Sequence, residues 1–302
     1  MFERGLGGVF ALGLMAMALP AQAAQIVFKD VVARVVVVTE SRADVAVTVL
    51  KTNPQLPIWI SSAAGGVVVS GRQASGWRRL LGARSAQCHV GPKGAHVLVV
   101  GVGDFAQDQL PSLLVRAPLE TQISTSGAVI GSLPTADRLE LRIAGCDVWT
   151  IGAVKGRLTL DASGFGHVRT GDVGEVSARI SGESDLRTHA ITHGLDARLS
   201  GAGDVRATDV SGPIDLHITG QGDVRIGGGH TGRLGVEITG QGDVTYGGVA
   251  DRLDVGVSGQ GDVRVAKVIG PVDKQITGIG RVVIGPIDPS ILAVSVQGAG
   301  QP

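Results

Sequence analysis

Ser200-Gly201-Ala202-Gly203-Asp204-Val205, Thr219-Gly220-Gln221-Gly222-Asp223-Val224, Thr239-Gly240-Gln241-Gly242-Asp243-Val244 and Ser258-Gly259-Gln260-Gly261-Asp262-Val263 are four copies of one phrase. Looser copies flank them: Ala144-Gly145-Cys146-Asp147-Val148, Ser163-Gly164-Phe165-Gly166-His167-Val168, Ser181-Gly182-Glu183-Ser184-Asp185-Leu186 and Thr277-Gly278-Ile279-Gly280-Arg281-Val282. The first glycine recurs at intervals of 18 to 20 residues, and Ser126-Gly127 opens a possible earlier copy. A fixed period of this length marks a stack of identical supersecondary units.

Each phrase follows an alternating segment such as Leu139-Glu140-Leu141-Arg142-Ile143 or Leu253-Asp254-Val255-Gly256-Val257, and precedes a second one such as Val224-Arg225-Ile226. Period-two alternation is the pattern of a half-buried strand. One unit of two short strands and two corners cannot bury its apolar row alone. Stacking units about 4.8 Å apart lines the rows into a continuous core. The expected fold is therefore all-β, a parallel β-helix or solenoid with coils of about 19 residues. Hairpins turning at Gly-x-Gly in a sandwich or barrel are the alternative.

Within the motif, glycine is expected to take positive φ at a corner, and Asp to bond back to the turn backbone. Arg stands two residues after Asp185, Asp204, Asp223 and Asp262, on the same outward face, so an Arg column is expected to neutralise an Asp column.

Residues 1–23 read as a signal peptide: Arg4, an apolar run from Val9 to Leu19, Pro20, and Ala21-Gln22-Ala23 as a small-x-small cleavage site. An uncleaved signal anchor is the rival reading. No transmembrane segment is expected in the mature chain, and the location is exported, periplasmic or extracellular at the cell surface. Residues 24–115 form an N-terminal β region that caps or begins the solenoid, and 116–302 carry the Gly-x-Gly-Asp repeats. A basic insert at 71–96 breaks the alternation and is expected to be a short surface helix or loop.

The 302 residues hold 27 Lys plus Arg against 27 Asp plus Glu, so no global field attracts nucleic acid. The 47 glycines and scarce aromatics suit many short strands and tight turns. A nucleophile elbow, phosphate loop, dinucleotide fingerprint and zinc-ligand helix are all missing from the sequence.

A start like Phe28-Lys29-Asp30-Val31, then Pro118-Leu119-Glu120, then repeated Ser/Thr-Gly-x-Gly-Asp-Val coils resembles the "putative auto-transporter adhesin head GIN domain" family. The resemblance covers nearly all of the chain after the signal, most strongly 139–284. It implies an exported bacterial β-helical domain whose family function is largely unassigned. The basic insert and the irregular coils 163–193 depart from the pattern, and no translocator barrel is recognisable.

The candidate binding residues are those where the repeat lapses. Trp77, Arg78, Arg79 and Arg84 in the insert offer a contact for an anionic glycan or partner protein. Asp147, His167 and Asp185 are expected at equivalent positions on successive coils, with His167 between two carboxylates, a pH-sensitive ladder. His189 and His193 nearby raise a metal site, which their non-helical spacing disfavours. Calcium is disfavoured by the 19-residue period and the adjacent Arg. No metal, cofactor or catalytic residue is assigned. Cys88 and Cys146 are disulfide candidates in an oxidising compartment, the alternative being two small buried residues. The expected function is a non-enzymatic envelope or surface module binding a glycan or envelope protein. A purely structural scaffold and a polysaccharide lyase or hydrolase are the alternatives.

Overall fold

The computed structural model describes residues 24–63, 65–71, 86–91 and 94–292. The signal-peptide reading at 1–23 and the insert residues Trp77, Arg78, Arg79 and Arg84 lie outside the described residues.

The chain winds into a β-solenoid of about nine turns. Its rows are set by side-chain alternation. Leu139, Leu158, Val176, Leu195, Ile214, Leu234 and Leu253 pair coil to coil in parallel register, and each is at most 2% exposed. Their neighbours in sequence, such as Glu140, Asp196 and Asp215, point outward. Removing such a side chain from water contributes about 1.5–3 kcal/mol. A slip of one residue would turn the whole row to solvent, which fixes the register. Parallel pairing from each coil to the next excludes the hairpin sandwich.

Regular coils carry the two expected strands, as in Val205–Val210 with Ile214–Ile218 and Val263–Val268 with Val272–Ile276, while one coil has a third, short middle strand, His230–Thr231, between Val224–Gly228 and Leu234–Ile238. The short middle strand was not legible in the sequence because two residues show no alternation.

The motif glycines act differently from the expectation. None of those at 145, 164, 182, 201, 220, 240, 259 or 278 has positive φ. A Cβ at Gly220 would instead sit 2.0 Å from the Gly201 carbonyl oxygen, and one at Gly240 would sit 2.0 Å from that of Gly220. Glycine is required because the coils approach too closely for a side chain.

At the N-terminal end, strand β1 (Ala24–Glu40) pairs in parallel with a long later strand, Glu120–Ala136. The next layer out is discontinuous in sequence. It combines Gly66–Ser70 and Ser112–Pro118, both parallel to β1. Antiparallel strands Trp59–Ala63 and Ala46–Lys51 then cover these two and close the stack. An antiparallel cover of this kind blunts the open edge of a solenoid.

Within the basic insert, Ala86–Gly91 and the start of Gly94–Val99 are strand, and the expected helix or loop around Trp77–Arg84 lies outside the described residues. Ala86–Gly91, Gly94–Val99 and Gly103–Ala106 form a small antiparallel sheet. Ala86, Val97 and Phe105 belong to a second apolar cluster with Ala128, Ile130 and Cys146 of the solenoid, which supplies the burial that an isolated loop would lack.

Candidate binding trough

The motif carboxylates form a ladder. The amide of Asp204 donates to Asp185 Oδ1 at 3.2 Å, that of Asp223 to Asp204 Oδ1 at 2.8 Å, that of Asp243 to Asp223 Oδ1 at 2.9 Å, and that of Asp262 to Asp243 Oδ1 at 2.8 Å. The other oxygen takes the arginine two residues on, at 2.6 Å for Arg206–Asp204, 2.7 Å for Arg225–Asp223 and 2.8 Å for Arg264–Asp262. Thr245 replaces the arginine after Asp243, and Arg264 reaches back to that carboxylate at 3.6 Å. At the last rung Arg281 stands in place of Asp, its amide and guanidinium both donating to Asp262. Burial pushes the Asp262 carboxyl up, but the bonds from Arg281 outweigh it and hold the group below its ordinary range. The Asp side chain therefore bonds across coils, not back to its own turn.

Just before this ladder, the same corner opens a trough of about 710 Å³. One wall is the hydroxyl column Ser163, Ser181, Ser200, Thr219 and Thr239, and the floor is the glycine column from Gly182 to Gly259. The other wall is the variable motif position: Phe165, Glu183, Ala202, Gln221, Gln241 and Gln260. Six coils at about 4.8 Å spacing give a length of about 24 Å. Gln221, Gln241 and Gln260 are exposed, and among the described residues none of their side-chain amides has a hydrogen-bond partner. Glu183 is the one charge in the lining. The close coil stacking that excludes a Cβ is also what leaves the floor bare.

The irregular residues fall differently from the expectation. His167 pairs in register with Asp185, and its Nδ1 lies 3.4 Å from Asp185 Oδ2. Burial alone would raise the Asp185 carboxyl, yet the bonds from His167 and the Asp204 amide hold it below its ordinary range. Asp147 does not complete the sandwich, because it pairs with Gly166 while Val148 pairs with His167. The Gly145 motif is one residue shorter, Cys146-Asp147-Val148 against Phe165-Gly166-His167-Val168. Stacking from the shared glycine thus puts Asp147 at the inward, second-glycine position.

There Asp147 is 1% exposed, accepting the Thr125 hydroxyl at 2.6 Å and the Val129 amide at 2.8 Å. Burial pushes its carboxyl up to about 7 against the pull of those two bonds. Trp149 next fills an inward position facing Gly131, where a Cβ would meet its ring at 2.4 Å.

His189 Nδ1 lies 2.6 Å from Asp172 Oδ1, and His193 Nδ1 lies 2.8 Å from Thr192 Oγ1. Among the described residues no group of three or more His, Cys, Asp or Glu side chains is placed to hold a metal ion. The outward acidic column Asp215, Gly235, Asp254 is neutralised across the glycine gap. Arg233 reaches Asp215 at 2.8 Å and Asp254 at 2.9 Å. Cys88 and Cys146 are joined by a disulfide that ties the small sheet to the solenoid. Among the described aromatics, Phe165 is the one in the trough, Trp149 and Tyr246 are buried, and Trp59 is exposed on the N-terminal cover.

Sequence reasoning took the Ser/Thr-Gly-x phrase as scaffold and missed the trough. The signal was the variable x position, which becomes glutamine in three consecutive coils.

Three solved structures are similar to the chain. A "putative adhesin" from Bacteroides fragilis is 13% identical over 87% of this chain and 92% of its own, with a TM-score of 0.36. A "putative lipid binding protein" from Parabacteroides distasonis is 13% identical over 88% and 93%, with a TM-score of 0.43. A "putative cell adhesion protein" from Clostridium sporogenes is 7% identical over 88% and 93%, with a TM-score of 0.21. No curated protein matches the chain. Among the described residues no helix is long and apolar enough to cross a membrane. Residues 111–229 and 209–301 match the family described as "Putative auto-transporter adhesin, head GIN domain", together more than half of the chain. The protein belongs to that adhesin-like family.

Proposed function

We propose that the protein is an exported, non-enzymatic binding module of the cell surface, and that the trough is its contact for an extended, uncharged polysaccharide. The observation that carries this reading is the periodic lining. Hydroxyl groups repeat along five successive coils, and side-chain amides along the last three, of an open, nearly uncharged channel. The coil spacing of about 4.8 Å is close to the length of one sugar residue in an extended chain. Successive coils can therefore offer a hydroxyl, and three of them a side-chain amide as well, to successive residues. Such contacts are weak singly and accumulate along the chain, because each later one is intramolecular.

Hydrolysis of a glycosidic bond calls for a pair of carboxyl groups flanking it. The trough lining supplies Glu183 alone, which favours binding over cleavage.

The test is retention on insoluble neutral polysaccharides of differing linkage, comparing the wild type with a Gln221→Ala, Gln241→Ala, Gln260→Ala variant. At least one polysaccharide should retain the wild type and release the variant. Equal behaviour of the two proteins on every polysaccharide, or release of soluble sugar, would overturn the proposal.

A further inference from the structure

A different corner of the coil, marked by register shifts within the strands Cys146–Ala162, Val173–Ile180 and Glu183–Leu199, varies in length. Val154 and Arg157 pair with Val173 and Glu175, which pair in turn with Ile191 and Gly194. Two residues, Lys155-Gly156, thus bridge the corner in one coil, Gly174 alone in the next, and Thr192-His193 in the third. A short corner between two long ones leaves a recess of about 370 Å³, within the size range of a small-ligand site. Its floor cannot be filled from within. A Cβ at Gly174 would lie 2.5 and 2.6 Å from the carbonyl oxygens of Lys155 and Gly156.

Arg138, Lys155, Arg157 and His193 line the recess, with Glu175 as the one carboxylate among them. Arg157 is committed to Glu175 through two nitrogens at 2.7–2.9 Å, and Lys155 lies 3.1 Å from Asp137. Arg138 has no acidic partner among the described residues. Thr192 Oγ1 lies 2.8 Å from His193 Nδ1 and 3.5 Å from the Gly174 carbonyl oxygen, so the hydroxyl holds the imidazole in place beside the short corner. The recess therefore combines an uncompensated guanidinium, two paired cationic heads and an imidazole ring. Planar, forked donors of this kind match an oxyanion.

We propose that this recess binds a single oxyanion group, the chemistry shared by carboxylate, sulfate and phosphate, with Arg138 supplying the free charge. The site is separate from the trough and does not depend on it.

The experiment is calorimetric titration of the full chain at low ionic strength with sodium sulfate, sodium phosphate and sodium glucuronate, each against chloride of equal ionic strength. The three arms separate a free mineral anion from an acidic sugar. At least one should bind saturably, and Arg138→Ala should weaken it at least tenfold. Arg179→Ala, an exposed arginine outside the recess, should leave it unchanged. Matched thermal unfolding of both variants excludes misfolding as the cause. Failure of all three anions to saturate the wild type, or equal affinity in the Arg138→Ala protein, overturns the proposal whatever the trough binds.

Discussion

The backbone amide of Asp223 donates to Oδ1 of Asp204, one full coil earlier, at 2.8 Å. At this corner the carboxylate takes the place that a main-chain carbonyl holds elsewhere in the ladder, while the Asp223 carbonyl itself accepts the Val205 amide at 2.9 Å. The motif aspartate is thus a backbone acceptor first and an ion-pair partner second. Leaving a part-buried amide without an acceptor costs about 1–3 kcal/mol.

Replacing Asp204 should separate these two roles. Asp204→Ala removes the acceptor for the Asp223 amide and the partner of Arg206, and should lower unfolding free energy by about 2–3 kcal/mol. Asp204→Asn keeps an oxygen for the amide and should lose about 1 kcal/mol or less, the value of a partly exposed ion pair. Urea denaturation of the three proteins measures the difference. Equal losses would mean that the charge, not the acceptor, matters.

Two glycines should respond in opposite directions to alanine. Gly220→Ala places a Cβ 2.0 Å from the Gly201 carbonyl oxygen and should cost at least about 3 kcal/mol by forcing coils apart. Gly256→Ala meets nothing within 4 Å and has no positive φ, so it should be neutral or stabilise by about 0.5 kcal/mol through the unfolded chain. Thermal unfolding midpoints report both.

Asp147 gives the fold a pH dependence of unusual sign. Its carboxyl titrates near about 7 when folded and near about 4 when unfolded, so the native state holds the extra proton between these values. Stability from this group is fully present below about pH 4 and is lost as pH rises to about 7, by an amount on the order of 4 kcal/mol. Protonation is accommodated locally. The acid can donate to Thr125 Oγ1, whose own hydrogen can then turn to the Arg142 carbonyl at 3.2 Å. The difference in unfolding free energy between wild type and Asp147→Asn, followed from pH 4 to 8, should widen in favour of the variant. A flat difference contradicts the assignment.

The disulfide closes a separation of 58 residues, for which the chain-entropy estimate is about 4 kcal/mol. Reduction, or Cys88→Ser, should loosen the small sheet 86–106 and leave the later coils protected. Hydrogen exchange resolved by segment distinguishes this from global unfolding.

The coil period, the strand alternation and the Asp–Arg pairing are legible in the sequence because each rests on spacing along the chain. What escaped lies between coils. The placement of Asp147 depends on a single missing residue after Gly145, which matters only once glycines are stacked. The recess at Gly174 likewise needs three coil lengths compared at one corner. The trough is harder still, since Gln221, Gln241 and Gln260 are unremarkable until the fold places them side by side. The short middle strand left no periodic trace at all.

A trough whose hydroxyls recur coil after coil is tested most directly by affinity against ligand length. Oligosaccharides of two to eight residues, cut from whichever polysaccharide retains the protein, are titrated against the wild type. Affinity should rise with each added residue until the ligand spans the six coils of the trough, then level. Affinity independent of length, or saturation already at two residues, would contradict a periodic trough.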